Sequence, residues 1–265
     1  MKLRVACKLC FQIDDAAALI LMLRPFRGMS QWVMHETYTI KPDVLVIEGT
    51  DSYGNSCQRL VAPQGTLLID ASAEVIIADY QDTAPGAYFV EIQHLPNDVL
   101  PFLLPSRYCE SDRFGELARD ISADAAPGYD QVERIAGWVR QTVQYQPGSS
   151  DVPLSATEIH HRGYGVCRDL AHLGIALCRS ISIPARIVVG YLNNLEPMDL
   201  HAWFEAYVGS RWYTFDPTQK DVSGGRVIIA FGRDAADVSI FHQFGSGALL
   251  THMQVSVESL YDAVT

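Results

Sequence analysis

Turn signals cut the first hundred residues into short apolar segments, and this punctuation restricts the region to β structure. Lys41-Pro42-Asp43, Asp51-Ser52-Tyr53-Gly54-Asn55, Pro63-Gln64-Gly65 and Ala84-Pro85-Gly86 are the breaks. Around them lie "VACKLCFQI", "HETYTI", "VLVIEGT", "SCQRLVAP", "TLLIDASAEVIIADY" and "YFVEIQHL". Alternating or β-branched runs of this length read as strands. Breaks every ~8–12 residues predict an antiparallel β-sandwich. The stretch "LPNDVLPFLLPSRY" holds Pro96, Pro101 and Pro105. Proline there excludes a regular helix or central strand, so it reads as a linker. The expected division is a β-sandwich over 1–105 and a second unit over 106–265.

Beyond the linker the period changes. In "DQVERIAGWVRQTVQY", Val132, Ile135, Ala136, Val139 and Val143 recur at helical spacing. "SDRFGELARDISADA" is also helical, and Ser155 with Glu158 makes a capping box for a short helix ending at Gly163. A third helix follows "HHRGYGVC", with Cys167, Leu170, Ala171, Gly174, Leu177, Cys178 and Ile181 expected on one apolar face, and Pro184 closes it. After it come "ARIVVGYL", "HAWFEAYV", "RWYTFDPT", "GRVIIAF" and "LLTHMQVSVESL", all strand-like. Helices followed by antiparallel strands give an α+β fold.

Six cysteines in 265 residues are sparse and irregularly spaced. That argues against a disulfide framework and for a reducing, cytoplasmic setting. Cys7 and Cys10 have C-x-x-C spacing, but in a strand they face opposite sides, and no second pair completes a zinc site. His160 and His161 are adjacent on a helix and diverge by ~100°, so they do not converge on a metal. No metal and no cofactor are expected. The net charge of −11 makes nucleic acid and membrane surfaces poor partners. The apolar run near the start is interrupted by Asp14 and Asp15 and is read as mature protein, not a signal peptide.

Cys167 follows a glycine-rich turn and begins a helix. The first helical turn presents unpaired N–H groups and the positive end of the macrodipole, which favours a thiolate. Gly163 and Gly165 are expected to leave the sulfur open to approach. His201 begins the strand "HAWFEAYV", and Asp216 ends "RWYTFDPT"; a hairpin turning at Gly209-Ser210 brings both to its open end. Strands ~5 Å apart then allow an Asp–His contact. Nucleophile, base and orienting carboxylate are the three roles that covalent catalysis requires.

The blocks "GVCRDLAHLGIALCRSISIPARIVVGYL", "HAWFEAYV" and "WYTFDPT" resemble the transglutaminase-like superfamily, in its bacterial branch with an N-terminal β domain. "GRDAADV" at 232–238 resembles a downstream block of that branch, and "DSYGN" its N-terminal domain. The resemblance spans nearly the whole chain. It implies a papain-like core with Cys167 as nucleophile, His201 as base and Asp216 as orienter, acting on amide or peptide bonds of a peptide or protein through a thioester. The tryptophan and calcium-binding segments of animal transglutaminases have no clear counterpart; Trp138 lies in a helical setting. The oxyanion would take the Cys167 backbone N–H and a side chain such as Tyr145 or Tyr164. Trp203 could wall the site. Arg168 and Asp169 read as structural ion pairs or caps, and His172, one helical turn on from Asp169, as an i,i+3 contact to it, with substrate contact as the alternative. Arg233 and Asp234 read as a structural turn or ion pair. An acyltransferase of the arylamine N-acetyltransferase type shares the Cys, His, Asp order, and a non-catalytic binding module is the other alternative. The oligomeric state is not legible.

Overall fold

The computed structural model describes residues 1–28, 30–78, 82–219, 225–245 and 247–260. The first six strands are β1 (Lys2–Ile13), β2 (Ala17–Leu21), β3 (Gln31–Lys41), β4 (Ile47–Thr50), β5 (Ser56–Ala62) and β6 (Gly65–Ile77). β1 shows why they form. Leu3, Val5, Cys7, Leu9, Phe11 and Ile13 alternate inward, each under 3% exposed. A fully buried aliphatic or aromatic side chain contributes roughly 1.5–3 kcal/mol relative to leaving it in water. Cys7 is buried and Cys10 points to the other face, as the strand reading requires. The apolar run interrupted by Asp14 and Asp15 resumes as β2. "YFVEIQHL" is not a strand. Its Val90, with Leu95 and Val99, packs against Tyr207 in a small separate cluster, and the backbone makes a 3-10 turn at Ile92–His94. The prolines beyond it are accommodated by another 3-10 turn, Leu100–Leu103.

The helices are α1 (Gly115–Ser122), α2 (Tyr129–Thr142), α3 (Ala156–Arg162) and α4 (Cys167–Ser180), with the two-residue strands β7 (Gln144–Tyr145) and β8 (Tyr164–Gly165) between them. Ser155 caps α3 as expected: its Oγ accepts from Glu158 N–H, and Glu158 Oε2 accepts from Ser155 N–H at 2.8 Å. Gly163 ends the helix at φ 74°, a left-handed conformation that favours glycine.

The second sheet runs β11 (Arg211–Phe215), β10 (Leu200–Val208), β9 (Ala185–Leu192) and β12 (Arg226–Gly232), in that order. α4 packs on it closely. A Cβ on Gly174 would stand 2.6 Å from the Phe204 ring. The single apolar face expected for α4 is a misreading: every residue from Asp169 to Arg179 is buried. The helix is enclosed by β9, β10, α1, α2 and α3, so all its sides face protein.

The last two strands, β13 (Phe241–Phe244) and β14 (Ala248–Ser259), return to the first unit. β14 pairs along β1, giving the order β14-β1-β6-β3, and β13 completes β13-β2-β5-β4. Phe241–Phe244 and Ala248–Ser259, expected within the 106–265 unit, therefore pair with strands of the first. Long-range pairing of this kind leaves no local sequence signal.

Polar side chains join the sandwich to the second sheet. Asn55 brackets Phe231, donating Nδ2–H to its carbonyl at 2.7 Å and accepting its N–H at 3.0 Å. Gln31 does the same with Ile228, at 2.8 Å each way. Tyr53 OH donates to Asp237 Oδ2 at 2.8 Å. No helix among the described residues is long and apolar enough to cross a membrane.

Candidate active site

Cys167 is the first residue of α4 and is half-buried. Asp169 secures that end, accepting from Val166 N–H and from Leu154 N–H at 3.2 Å each. The approach strand β8 pairs with β7, which holds the turn in place. Gly165 does not open a path to the sulfur. A Cβ there would lie 2.3 Å from Ile159 Cδ1 and 3.1 Å from Asp169, so the missing side chain lets α3 and Asp169 close against the turn.

His201 and Asp216 meet as the hairpin geometry predicts. Gly209 and Ser210 have φ of 55° and 66°, the double positive pair of a tight two-residue hairpin turn. The His201 ring donates from Nε2 to Asp216 Oδ2 at 2.8 Å, and both side chains are almost fully buried. That bond leaves Nδ1 for the thiol. Nδ1 is buried with no well-aligned partner among the described residues, while Cys167 acts on the ring through a side-chain hydrogen-bonding interaction and its charge. Such contacts are commonly loose before substrate binds.

Burial alone would drive the His201 ring toward neutrality. The Asp216 hydrogen bond and the Cys167 interaction outweigh it and raise the imidazole to about 10. Burial likewise opposes charge on Asp216. His201, by hydrogen bond and charge, then Arg226 and Thr218, hold its carboxyl well below the usual carboxylate range.

Three supporting residues have no local signal that the sequence reading used. Arg226 Nη2 donates to Asp216 Oδ2 at 3.0 Å. Thr218 donates N–H and Oγ–H to Asp216 Oδ1 at 3.0 and 2.8 Å. Arg140 Nη2, from α2, donates to the Asp216 carbonyl at 2.9 Å. Of these only Thr218 was findable: Asp-x-Thr is a turn in which the carboxylate accepts from the residue two positions on.

Tyr145 lies near the site, in electrostatic contact with Cys167, Asp216 and Asp199; burial first, then those charges, push its hydroxyl well above the ordinary tyrosine range. Trp203 stacks on His201 at 6.1 Å between centroids and is itself almost fully buried. Tyr164 is exposed, with Arg162 stacked on its ring at 4.1 Å. His172 and Asp169 are braces. His172 is fully buried, donates Nδ1–H to Leu154 O at 2.8 Å, accepts Ala235 N–H on Nε2 at 3.2 Å, and stacks on Tyr108. No face of it remains for substrate. Asp169 pairs with Arg168 and caps the start of α4, as expected, while the hydrogen bonds of the His172 ring go to Leu154 and Ala235 rather than to Asp169. Arg233 pairs with Asp237, and Asp234 accepts from Tyr108 N–H and Ala236 N–H. Trp138, on α2, lies against His160 of α3, 5.9 Å between centroids. Among the described residues no group of three or more His, Cys, Asp or Glu side chains converges as a metal site.

A buried imidazole between a helix-initiating cysteine and a carboxylate, on a mixed core of this topology, defines a class. The chain belongs to the transglutaminase-like superfamily, whose profile matches residues 115–217. A solved structure from Cytophaga hutchinsonii, described as a candidate cysteine protease, is 35% identical with a TM-score of 0.91, covering 100% of this chain and 92% of that one. An uncharacterized protein of Mycobacterium leprae is 28% identical over 211 residues, 75% of each chain. The red sea bream transglutaminase aligns with a TM-score of 0.35 at 11% identity, over 79% of this chain and 47% of that one.

Proposed function

We propose that the protein is a cysteine-nucleophile enzyme that cleaves or transfers amide or peptide bonds through a thioester on Cys167. The observation that carries this reading is the buried His201 ring, bonded to Asp216 through Nε2 at 2.8 Å and close enough to Cys167 for the two to act on each other electrostatically. The C. hutchinsonii relative, described as a candidate cysteine protease, supports the same reading.

In this reading His201 is an imidazolium beside a thiolate. The sulfur attacks the carbonyl carbon, and the carbonyl π electrons move to oxygen. The oxyanion meets the Cys167 backbone N–H at the start of α4 and the Tyr145 hydroxyl, which stays protonated and able to donate. As the C–N bond breaks, His201 gives its proton to the leaving nitrogen, and a thioester remains. Water or an amine then attacks it, and the ring takes that nucleophile's proton while the sulfur leaves. Asp216 fixes the ring's orientation, and Arg226, Thr218 and Arg140 fix Asp216.

The test is acylation by p-nitrophenyl acetate. The expected result is one equivalent of burst nitrophenol, with the acetyl mass on Cys167 and none in Cys167→Ala. Acetyl spread over several cysteines, or a burst that survives in Cys167→Ala, overturns the reading.

A further inference from the structure

We infer that Asp199 is a specificity-determining residue, whose carboxylate receives a cationic ammonium or guanidinium group of the substrate beside the reacting thiol; this rests on the proposed role of Cys167.

Asp199 immediately precedes β10 and stands two residues before His201, at the entrance of the strand that carries the imidazole. It is exposed, unlike the buried His201 that follows it. One carboxylate oxygen, Oδ1, accepts Leu200 N–H at 2.7 Å, which fixes the side chain at the strand entrance. Its charge reaches both His201 and the Tyr145 hydroxyl. The groups acting on Tyr145 are Cys167, Asp216 and Asp199, all acidic.

The nearby cations are committed elsewhere. Arg226 and Arg140 donate to Asp216. Among the described residues Asp199 has no salt bridge, whereas the other carboxylates close to the site, Asp216, Asp169 and Glu205, all have basic partners. The charge acting on Asp199 that favours its ionised form is that of His201, which Asp216 also engages. A carboxylate held at the strand entrance two residues before His201, accessible to solvent and without a salt bridge among the described residues, favours a substrate that brings a cation. A cation on an exposed carboxylate gains little in open water, but the surrounding protein partly shields this one from solvent.

The test needs no known substrate. The rate at which Cys167 is modified by cationic trimethylammonium-ethyl methanethiosulfonate is divided by the rate with the anionic sulfonatoethyl reagent, at low salt. The expected outcome is a ratio that falls about fivefold in Asp199→Asn, the size expected for unit charges about 8 Å apart near water, and that falls in the wild type as salt rises. A ratio within twofold of wild type in Asp199→Asn overturns the assignment. Modification away from Cys167 would instead overturn the reading of the site itself. Two further arms place the cation. Hydrolysis of acyl-lysine over acyl-norleucine p-nitrophenyl esters, if reduced in Asp199→Asn, puts it on the acyl side. Thioester release by cadaverine over neutral hydroxylamine, if reduced, puts it in the incoming amine. No change in either arm also overturns the proposal.

Discussion

Arg226 and His201 donate to the same carboxylate oxygen, Oδ2 of Asp216, at 3.0 and 2.8 Å. The shared oxygen couples the orientation of the imidazole to a residue on β12, two strands away from β10 in the sheet order. In Arg226→Met the buried Asp216 loses one charged donor but keeps His201 and Thr218. The expected cost is about 1–3 kcal/mol of stability, read from urea unfolding. The acylation rate at Cys167 is expected to fall about tenfold, equivalent to about 1.4 kcal/mol.

The pH dependence of stability follows from the same pair. The folded His201 is raised to about 10 against an ordinary value near 6.5, so it binds its proton more tightly folded than unfolded. Its contribution is complete below about pH 6.5 and is lost as pH rises through about 10. Asp216 is depressed, so its contribution is present above its ordinary range near pH 4 and is lost as pH falls through its folded value. Thermal unfolding of wild type and His201→Gln, compared from pH 5 to 10.5, should show a gap that narrows steadily above pH 6.5. A gap independent of pH would show that folding leaves the ring's proton affinity unchanged, and one that widens from pH 5 to 6.5 would show a ring held neutral.

Alkylation should discriminate among the six cysteines. Cys7, Cys109 and Cys178 are fully buried, and burial pushes the thiol of Cys7 up to about 12 and those of the other two well above the ordinary range. Cys57 is raised too, by burial and then by Asp51. Limiting iodoacetamide at neutral pH should therefore label Cys167 first, and the three buried cysteines only after denaturation. Peptide mass spectrometry reads the order directly.

His172 tests the distinction between brace and participant. His172→Phe keeps a ring against Tyr108 but strands Leu154 O and Ala235 N–H. About 2–4 kcal/mol of stability should be lost. In the surviving folded fraction, the pH profile of Cys167 acylation should match wild type. A shifted profile would assign His172 a part in proton transfer.

Local chemistry was readable before any coordinates. The Ser155–Glu158 cap, the Gly209-Ser210 turn and the spacing of His201 and Asp216 all depend on neighbours a few residues apart or on counting along one hairpin. What supports them was not readable. Arg140 and Arg226 reach Asp216 from 76 and 10 residues away in sequence, and nothing in "GWVRQ" or "GGRV" announces an acceptor. The enclosure of α4 was missed because burial on every side erases the periodicity that marks a half-buried helix. "DSYGN" and "GRDAADV" were noticed separately; Tyr53 on Asp237 shows them to be two sides of one contact.

The pairing of β1 with β14 has a temporal consequence. More than two hundred residues separate the strands, and at 5–20 residues per second their synthesis occupies roughly 10–50 s. For that interval β1 can pair with β6 but keeps its other backbone edge open, a template for unwanted association. A ribosome paused within the catalytic blocks would hold the nascent chain in its most adhesive state.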